Sequence, residues 1–261
     1  GYENLEENKN FILKMRETGN SDIRGTICTH TTFSCSTPFL MKAAGMARDM
    51  DEYIQIHMNE GPDEDKCCVD KYGMTTAELY KNCLLYTSDA AEMGVGISTQ
   101  PRSNALCNAG IAPVADMLKN GIKVGLGTDN GEGNFYENMR YLVLMQMGKN
   151  YSKHALTPLQ GFQIATEGGA FGLGYTDVGC LKEGYSADFQ ILTGNAAIQL
   201  TEKNVVAEVF WRKDPKDIKK VYVNGNLICQ DGHSVNLDDE RIRKDFSECV
   251  REFWKGQPYQ D

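Results

Sequence analysis

The sequence predicts an α/β fold: an incomplete (β/α)8 TIM-barrel-like domain over residues 1–175, followed by a β-rich tail over 176–261. Three observations predict it. Short apolar runs alternate with helical stretches from Gly25 to Gly172, the pattern of βαβ units with a parallel sheet. Several of those runs end in a titratable residue: Gly25-Thr26-Ile27-Cys28-Thr29 in His30, Tyr53-Ile54-Gln55-Ile56 in His57, and Val124-Gly125-Leu126-Gly127-Thr128 in Asp129. In a parallel barrel such C-terminal strand ends form the active-site mouth. Beyond residue 175 the pattern becomes β-rich, with Asn224-Gly225 as a hairpin signal between Val221-Tyr222-Val223 and Leu227-Ile228-Cys229.

Each element has its own warrant. Residues 4–18 read as an amphipathic helix with Phe11, Ile12 and Met15 on one side. Ser36-Thr37-Pro38 opens the next helix, Ser36 or Thr37 as cap and Pro38 in the first turn. Leu40, Ala43, Ala44 and Ala47 give it a buried face at helical spacing. Tyr53, Ile54 and Ile56 suit a buried strand over 53–58. A polar loop over 59–65 and a helix over about 66–83 follow. Val95, Ile97 and Thr99 mark a strand that ends at Gln100-Pro101-Arg102-Ser103-Asn104. Pro113 to Asn120 is a short helix stopped by Gly121, and a strand runs over 122–128. Residues 136–150, 157–172 and 238–254 are expected to be helical, and residues 187–192 and 219–229 extended. Only four barrel-type strands are visible, over 25–30, 53–58, 94–99 and 122–128. A complete barrel with its helices takes about 250 residues, so an open barrel with an apolar edge is expected. Such an edge favours association, hence a homo-oligomer.

The bulk numbers narrow the class. The 41% hydrophobic and 24% charged residues are ordinary for a globular protein. The net charge of -9 argues against a nucleic-acid surface. Acidic clusters at 49–52 and Asp63-Glu64-Asp65 read as solvated helix faces. No apolar run is long enough to span a bilayer, and no charged-then-apolar leader opens the chain. Nine scattered cysteines without a CxxC argue against a secreted disulfide framework and fit a cytoplasmic location. The first residue is Gly1, so the chain is expected to begin inside a longer reading frame or to be a processed product.

The strand-end residues carry the chemistry. A lone histidine is more often a satisfied core residue. His57 at a strand end, with Glu60 three residues on and Asp129 closing another strand, instead has the parts of a metal-activated water. Asp129 also starts Asp-Asn-Gly, which is turn chemistry, and Glu60 also suits an acidic surface loop. Arg102 suits an anionic or carbonyl group of a substrate. Glu132 and Glu137 read as solvated.

Four segments in this order and spacing resemble the amidohydrolase superfamily. They are Thr29-His30-Thr31-Thr32-Phe33-Ser34-Cys35-Ser36, His57-Met58-Asn59-Glu60, Gln100-Pro101-Arg102-Ser103-Asn104, and Gly125-Leu126-Gly127-Thr128-Asp129. The stretches Ala165–Gly174 and Gly179–Asp188 are similar to its C-terminal signature. The nearest branch is the cytosine deaminase-like one, with guanine deaminase, adenosylhomocysteine-type deaminases and triazine hydrolases. The resemblance implies a barrel beside a small β-sandwich built from both chain ends, and one divalent metal ion, zinc or iron. It places His57 at the fifth-strand metal ligand and Asp129 at the eighth-strand residue that touches metal and handles a proton. It makes Glu60 the proton shuttle, His30 a substrate contact, and Ser103-Asn104 a loop lining the pocket. Arg102 and Asn104 join His30 as expected substrate-binding residues.

The sequence also departs from that pattern. The family's first-strand His-x-His has no counterpart: the four histidines are His30, His57, His154 and His233. The sixth-strand histidine is missing as well. Leu84 to Ala91 is too short for a strand and helix, since a parallel crossover takes roughly a dozen residues or more. The sixth βα unit reads as deleted or overwritten, with Tyr86-Thr87-Ser88-Asp89-Ala90-Ala91 as material joined to a native frame. The expected function is a metal-dependent aminohydrolase of a purine, pyrimidine or related small heterocycle, impaired by its missing ligands. The alternatives are an inactive fragment serving at most as a binding or assembly module, and a chlorohydrolase-like relative. In an intact relative Asp129 would take a proton from metal-bound water and Glu60 would protonate the ring nitrogen.

Overall fold

Leu5 and Ile12 close over Ile27, Ala43 and Ala47 in the first core of the chain. The computed structural model describes residues 1–19, 23–61, 63–83, 96–129, 133–194 and 198–256. It forms two units, Gly1–Thr176 and Asp177–Asp261.

In the first unit, α1 spans Tyr2–Thr18 and buries Leu5 and Ile12. Phe11, expected on the buried side, is 47% exposed. β1 (Ile27–Cys28) follows, then α2 (Thr37–Asp49), which buries Leu40, Ala43, Ala44 and Ala47 as their spacing predicts. β2 (Ile54–Gln55) pairs with β1 in parallel, Ile27 opposite Ile54 and Cys28 opposite Gln55. Both strands are far shorter than the sequence suggests, and Tyr53 is exposed rather than buried. The His57 carbonyl, which a longer ladder would use, accepts instead from the Tyr80 hydroxyl at 2.7 Å.

The helix expected over 66–83 is two. α3 (Glu64–Tyr72) ends at Gly73, whose φ of 73° is left-handed, and α4 runs Thr76–Cys83. Glycine enters that region without steric cost and terminates helices there. β3 (Gly96–Thr99), α5 (Pro101–Leu106), α6 (Val114–Lys119) and β4 (Lys123–Leu126) come next. β3 and β4 pair in parallel, Gly96 opposite Lys123 and Thr99 opposite Leu126. α7 (Phe135–Lys149) is capped by the Asn134 side chain. α8 (Pro158–Gln163) starts at a Thr157/Gln160 capping box and runs through a π-turn, Ile164–Gly168, into α9 (Gly169–Gly172). Among the described residues the four parallel strands form two separate pairs. The proposed sixth βα unit at Leu84–Ala91 lies outside the described residues, as do Val95 and Glu132.

One turn fixes the direction of these strands. Arg24, just before β1, donates to the carbonyls of Leu173 and Gly174 at 3.4 Å. A Cβ at Gly174 would strike the Tyr53 ring, just before β2, and one at Gly96, the first residue of β3, would strike Gly172. The starts of β1, β2 and β3 therefore gather around residues 172–174. Because each pair is parallel, the C-terminal ends lead away from that turn together.

The second unit holds β5 (Phe189–Leu192), α10 (Val205–Arg212), β6 (Ile218–Val223), β7 (Asn226–Gln230), β8 (His233–Ser234) and α11 (Asp239–Trp254). Its sheet is antiparallel, in the order β5-β6-β7-β8. Asn224 and Gly225, with φ of 48° and 75°, make the predicted hairpin turn. α10 was not legible: Val205, Val206 and Val209 are β-branched and poor helix markers. α11 keeps Ile242, Phe246 and Phe253 exposed. No described helix is long and apolar enough to cross a membrane.

Candidate functional site

Strand register brings the two histidines together. Cys28 and Gln55 are paired, and His30 and His57 each lie two residues further on. Neighbouring strands run about 4.8 Å apart, and the two imidazole centroids are 5.0 Å apart, tilted by 53°. His30 Nδ1 shares hydrogen bonds with Ser34 Oγ at 2.8 Å and Thr31 Oγ1 at 3.1 Å. That fixes the ring through Nδ1. His57 is held through its carbonyl by Tyr80, which is 2% exposed. Burial, reinforced by the Glu64 carboxylate, pushes the Tyr80 phenol well above its ordinary pKa, so it stays a donor.

The chain turns sharply after His57, with Asn59 at φ 55°, a conformation asparagine tolerates. The Glu60 side chain is exposed. Its backbone amide donates to Glu64 Oε2 at 2.8 Å. Glu64 Oε1 accepts from the Thr32 hydroxyl at 2.8 Å and the Thr32 amide at 3.3 Å. The acidic run 63–65 is thus not the solvated face the sequence suggests. Glu64 is 3% exposed, and Asp65 Oδ1 accepts from the Thr76 amide at 2.9 Å. The first turn of α3 is pinned to the two loops beside it.

At the other pair, the Gly127 amide extends the ladder to the Thr99 carbonyl at 2.9 Å. Asp129 then adopts φ 49° and accepts from Ser103 Oγ through Oδ2 at 2.7 Å. Ser103 is 2% exposed. Asn138 on α7, 1% exposed, braces the same loop: its Nδ2 donates to the Gly127 carbonyl at 3.3 Å, and its Oδ1 accepts from the Arg102 amide at 3.4 Å.

Arg102 and Asn104 sit elsewhere than expected, because Pro101–Leu106 is a helix and not a loop. Successive helical residues diverge by about 100°. Ser103 therefore meets Asp129, while Arg102 Nε lies 4.0 Å from Glu137 Oε2 and Asn104 lines a small crevice with Leu142 and Gln146 of α7. Glu137, read as solvated, carries this ion pair. The structure thus joins His30 to His57 and Ser103 to Asp129, and turns Arg102 and Asn104 toward α7. Sequence reasoning missed Glu64, Tyr80 and Asn138, for which no spacing signal exists. It gave Ser103 a place in a pocket-lining loop, but not its bond to Asp129.

A zinc site takes about four ligands. Among the described residues no group of three or more His, Cys, Asp or Glu side chains gathers closely enough to hold one. His57 has an imidazole beside it and Asp129 a serine hydroxyl. His233 pairs with Asp239 at 3.4 Å in the second unit. The described residues by themselves do not complete the family's metal site.

The amidohydrolase family profile matches residues 2–228. A 5-methylthioadenosine/S-adenosylhomocysteine deaminase of Carboxydothermus hydrogenoformans is 30% identical over 263 residues, covering 93% of this chain and 61% of that protein. A 5'-deoxyadenosine deaminase of Methanococcus maripaludis is 28% identical, covering 91% of this chain and 61% of its own. The chain spans about three-fifths of the length of these curated relatives. An adenosine deaminase from Xanthomonas campestris, solved with bound zinc, superposes with a TM-score of 0.87 at 17% identity, covering 95% of this chain and 61% of that one. That likeness shows a shared fold.

Proposed function

This chain belongs to the amidohydrolase family, and we propose that it carries the substrate-side and proton-transfer residues of a hydrolytic deaminase acting on an adenine nucleoside altered at its 5' carbon. The observation that carries the reading is the His30–His57 pair, imidazoles 5.0 Å apart beyond the ends of two parallel strands. The names of the curated relatives supply the substrate class.

In this reading His30, its Nδ1 engaged by Ser34, presents Nε2 to the nucleoside and orients it. Glu60, exposed at the turn after His57, protonates the ring nitrogen as water adds to the amidine-like carbon and ammonia leaves. Asp129 takes the proton of the attacking water and passes it to the amino group, which leaves as ammonia, while the new hydroxyl gives its proton back to Glu60. Ser103 occupies Oδ2 and leaves Oδ1 for that work. Arg102 and Asn104 are second contacts at most, since α5 aims them at α7. Among the described residues the family's divalent metal, zinc or iron, finds no complete donor set.

A second reading is favoured by that missing donor set: a chain that binds a nucleoside without turning it over. Titration calorimetry with 5'-methylthioadenosine and 5'-deoxyadenosine, with ammonia release followed in added Zn²⁺, tests both. Nucleoside binding with ammonia release supports the deaminase; binding without release supports the second reading. Failure to bind either nucleoside, or chloride release from a chlorotriazine in its place, sinks the proposed substrate class.

A further inference from the structure

Glu64 opens α3 and is 3% exposed, yet the chemistry proposed above does not use its carboxylate. Burying a carboxylate is costly unless it is hydrogen-bonded. This one is bonded to two different loops. Oε1 takes both the hydroxyl and the amide of Thr32, two residues past His30. Oε2 takes the amide of Glu60, three residues past His57. All three partners are donors. An ionised carboxylate has two acceptor oxygens and no donor, so it satisfies both loops at once. A glutamine keeps at most one oxygen, and its NH₂ must then face a donor.

We propose that Glu64 is a positioning residue that holds the His30 loop and the His57–Glu60 loop in one register. In the deaminase reading, on which its catalytic consequence rests, it sets Glu60 and His30 relative to the substrate without touching it.

The test is site-resolved amide exchange by NMR on the whole chain, with E64Q, and with T32V as a second route. In E64Q at least one of the Glu60 and Thr32 amides should exchange about tenfold faster, the worth of one such hydrogen bond. The α2 core amides of Leu40 and Ala43 should stay unchanged. T32V removes the hydroxyl donor to Oε1, along with that hydroxyl's contact to the Cys68 thiol, and should also speed Glu60 exchange without disturbing α2. With a nucleoside substrate, E64Q should lower kcat while KM moves less. Wild-type exchange at both amides in E64Q overturns the proposal. So does a uniform rise that includes α2, which marks a merely structural role. If E64Q does not fold, T32V decides by the same readout. A wild-type chain that fails to bind either nucleoside counts against the deaminase reading, and the exchange rates still decide the role of Glu64.

Discussion

On the β3–β4 rim the buried Ser103 hydroxyl donates to the Asp129 carboxylate at 2.7 Å. Hydrogen bonds to charged groups contribute more than neutral ones, so S103A should cost about 2 kcal/mol. A double-mutant cycle of S103A with D129A, read by urea unfolding, should give a coupling of about 1 kcal/mol; additive losses would show that the contact does not form in solution. Tyr80 adds a pH prediction. Its folded pKa is raised by burial and by Glu64. The stability it contributes is fully present below the unfolded value of about 10 and is lost as pH rises beyond it. Y80F should therefore weaken the fold at pH 8, through the lost bond to the His57 carbonyl, and flatten the alkaline limb of a stability–pH curve. An unchanged alkaline limb would contradict that. His30, His57 and Asp129 were legible because each closes an apolar run. Glu64 was not, because a buried and a solvated glutamate look alike within Asp63-Glu64-Asp65.

At the scale of elements, two adjacent glycines give the sharpest contrast. Gly168 and Gly169 both have helical backbone. A Cβ at Gly168 would collide with the Val124 carbonyl of β4, whereas nothing lies within 4 Å of one at Gly169. G168A should destabilise the first unit by about 1–3 kcal/mol through overpacking. G169A should be neutral or stabilise by up to about 1 kcal/mol by restricting the unfolded chain. Equal effects of both, in thermal unfolding, would show that the π-turn does not lie against β4 as described. The second unit has an acid-sensitive brace. Asp217 has a lowered pKa because the Asp214 amide and the Thr193 hydroxyl donate to its carboxylate, tying the turn before β6 to the end of β5. A lowered folded pKa means this stability is present above the unfolded value and is lost as pH falls through the folded one. D217N should remove that part of the acid dependence, seen as a shallower fall in thermal midpoint below about pH 4. Helices were the more legible elements, since Leu40, Ala43, Ala44 and Ala47 repeat on one face. Strand lengths were not: whether Ile56 and His57 join a ladder depends on Tyr80, more than twenty residues away.

For the whole molecule, the first unit holds two parallel pairs that start near one turn, and the residues expected of a site divide between them. The His30–His57 pair belongs to one and Ser103–Asp129 to the other. Two expected ligands, His57 and Asp129, fall short of the roughly four that zinc takes. Without a cation to acidify it, water with a pKa near 15.7 is a poor nucleophile at neutral pH, whatever carboxylates surround it. The chain should therefore lose added Zn²⁺ on dialysis, leaving metal content well below one ion per chain by elemental analysis. Its ammonia release should fall far below an ordinary turnover of about 1–10³ per second. If the first-strand and sixth-strand histidine segments of the family are grafted onto it, metal retention should appear. E60Q in that grafted protein should then abolish turnover while the metal stays, because Glu60 moves a proton and is not a donor to the ion. Near-stoichiometric zinc in the ungrafted chain would mean that residues outside the described set complete the site. Loss of metal together with turnover in grafted E60Q would instead make Glu60 a ligand, and the division of labour between Glu60 and Asp129 would have to be redrawn.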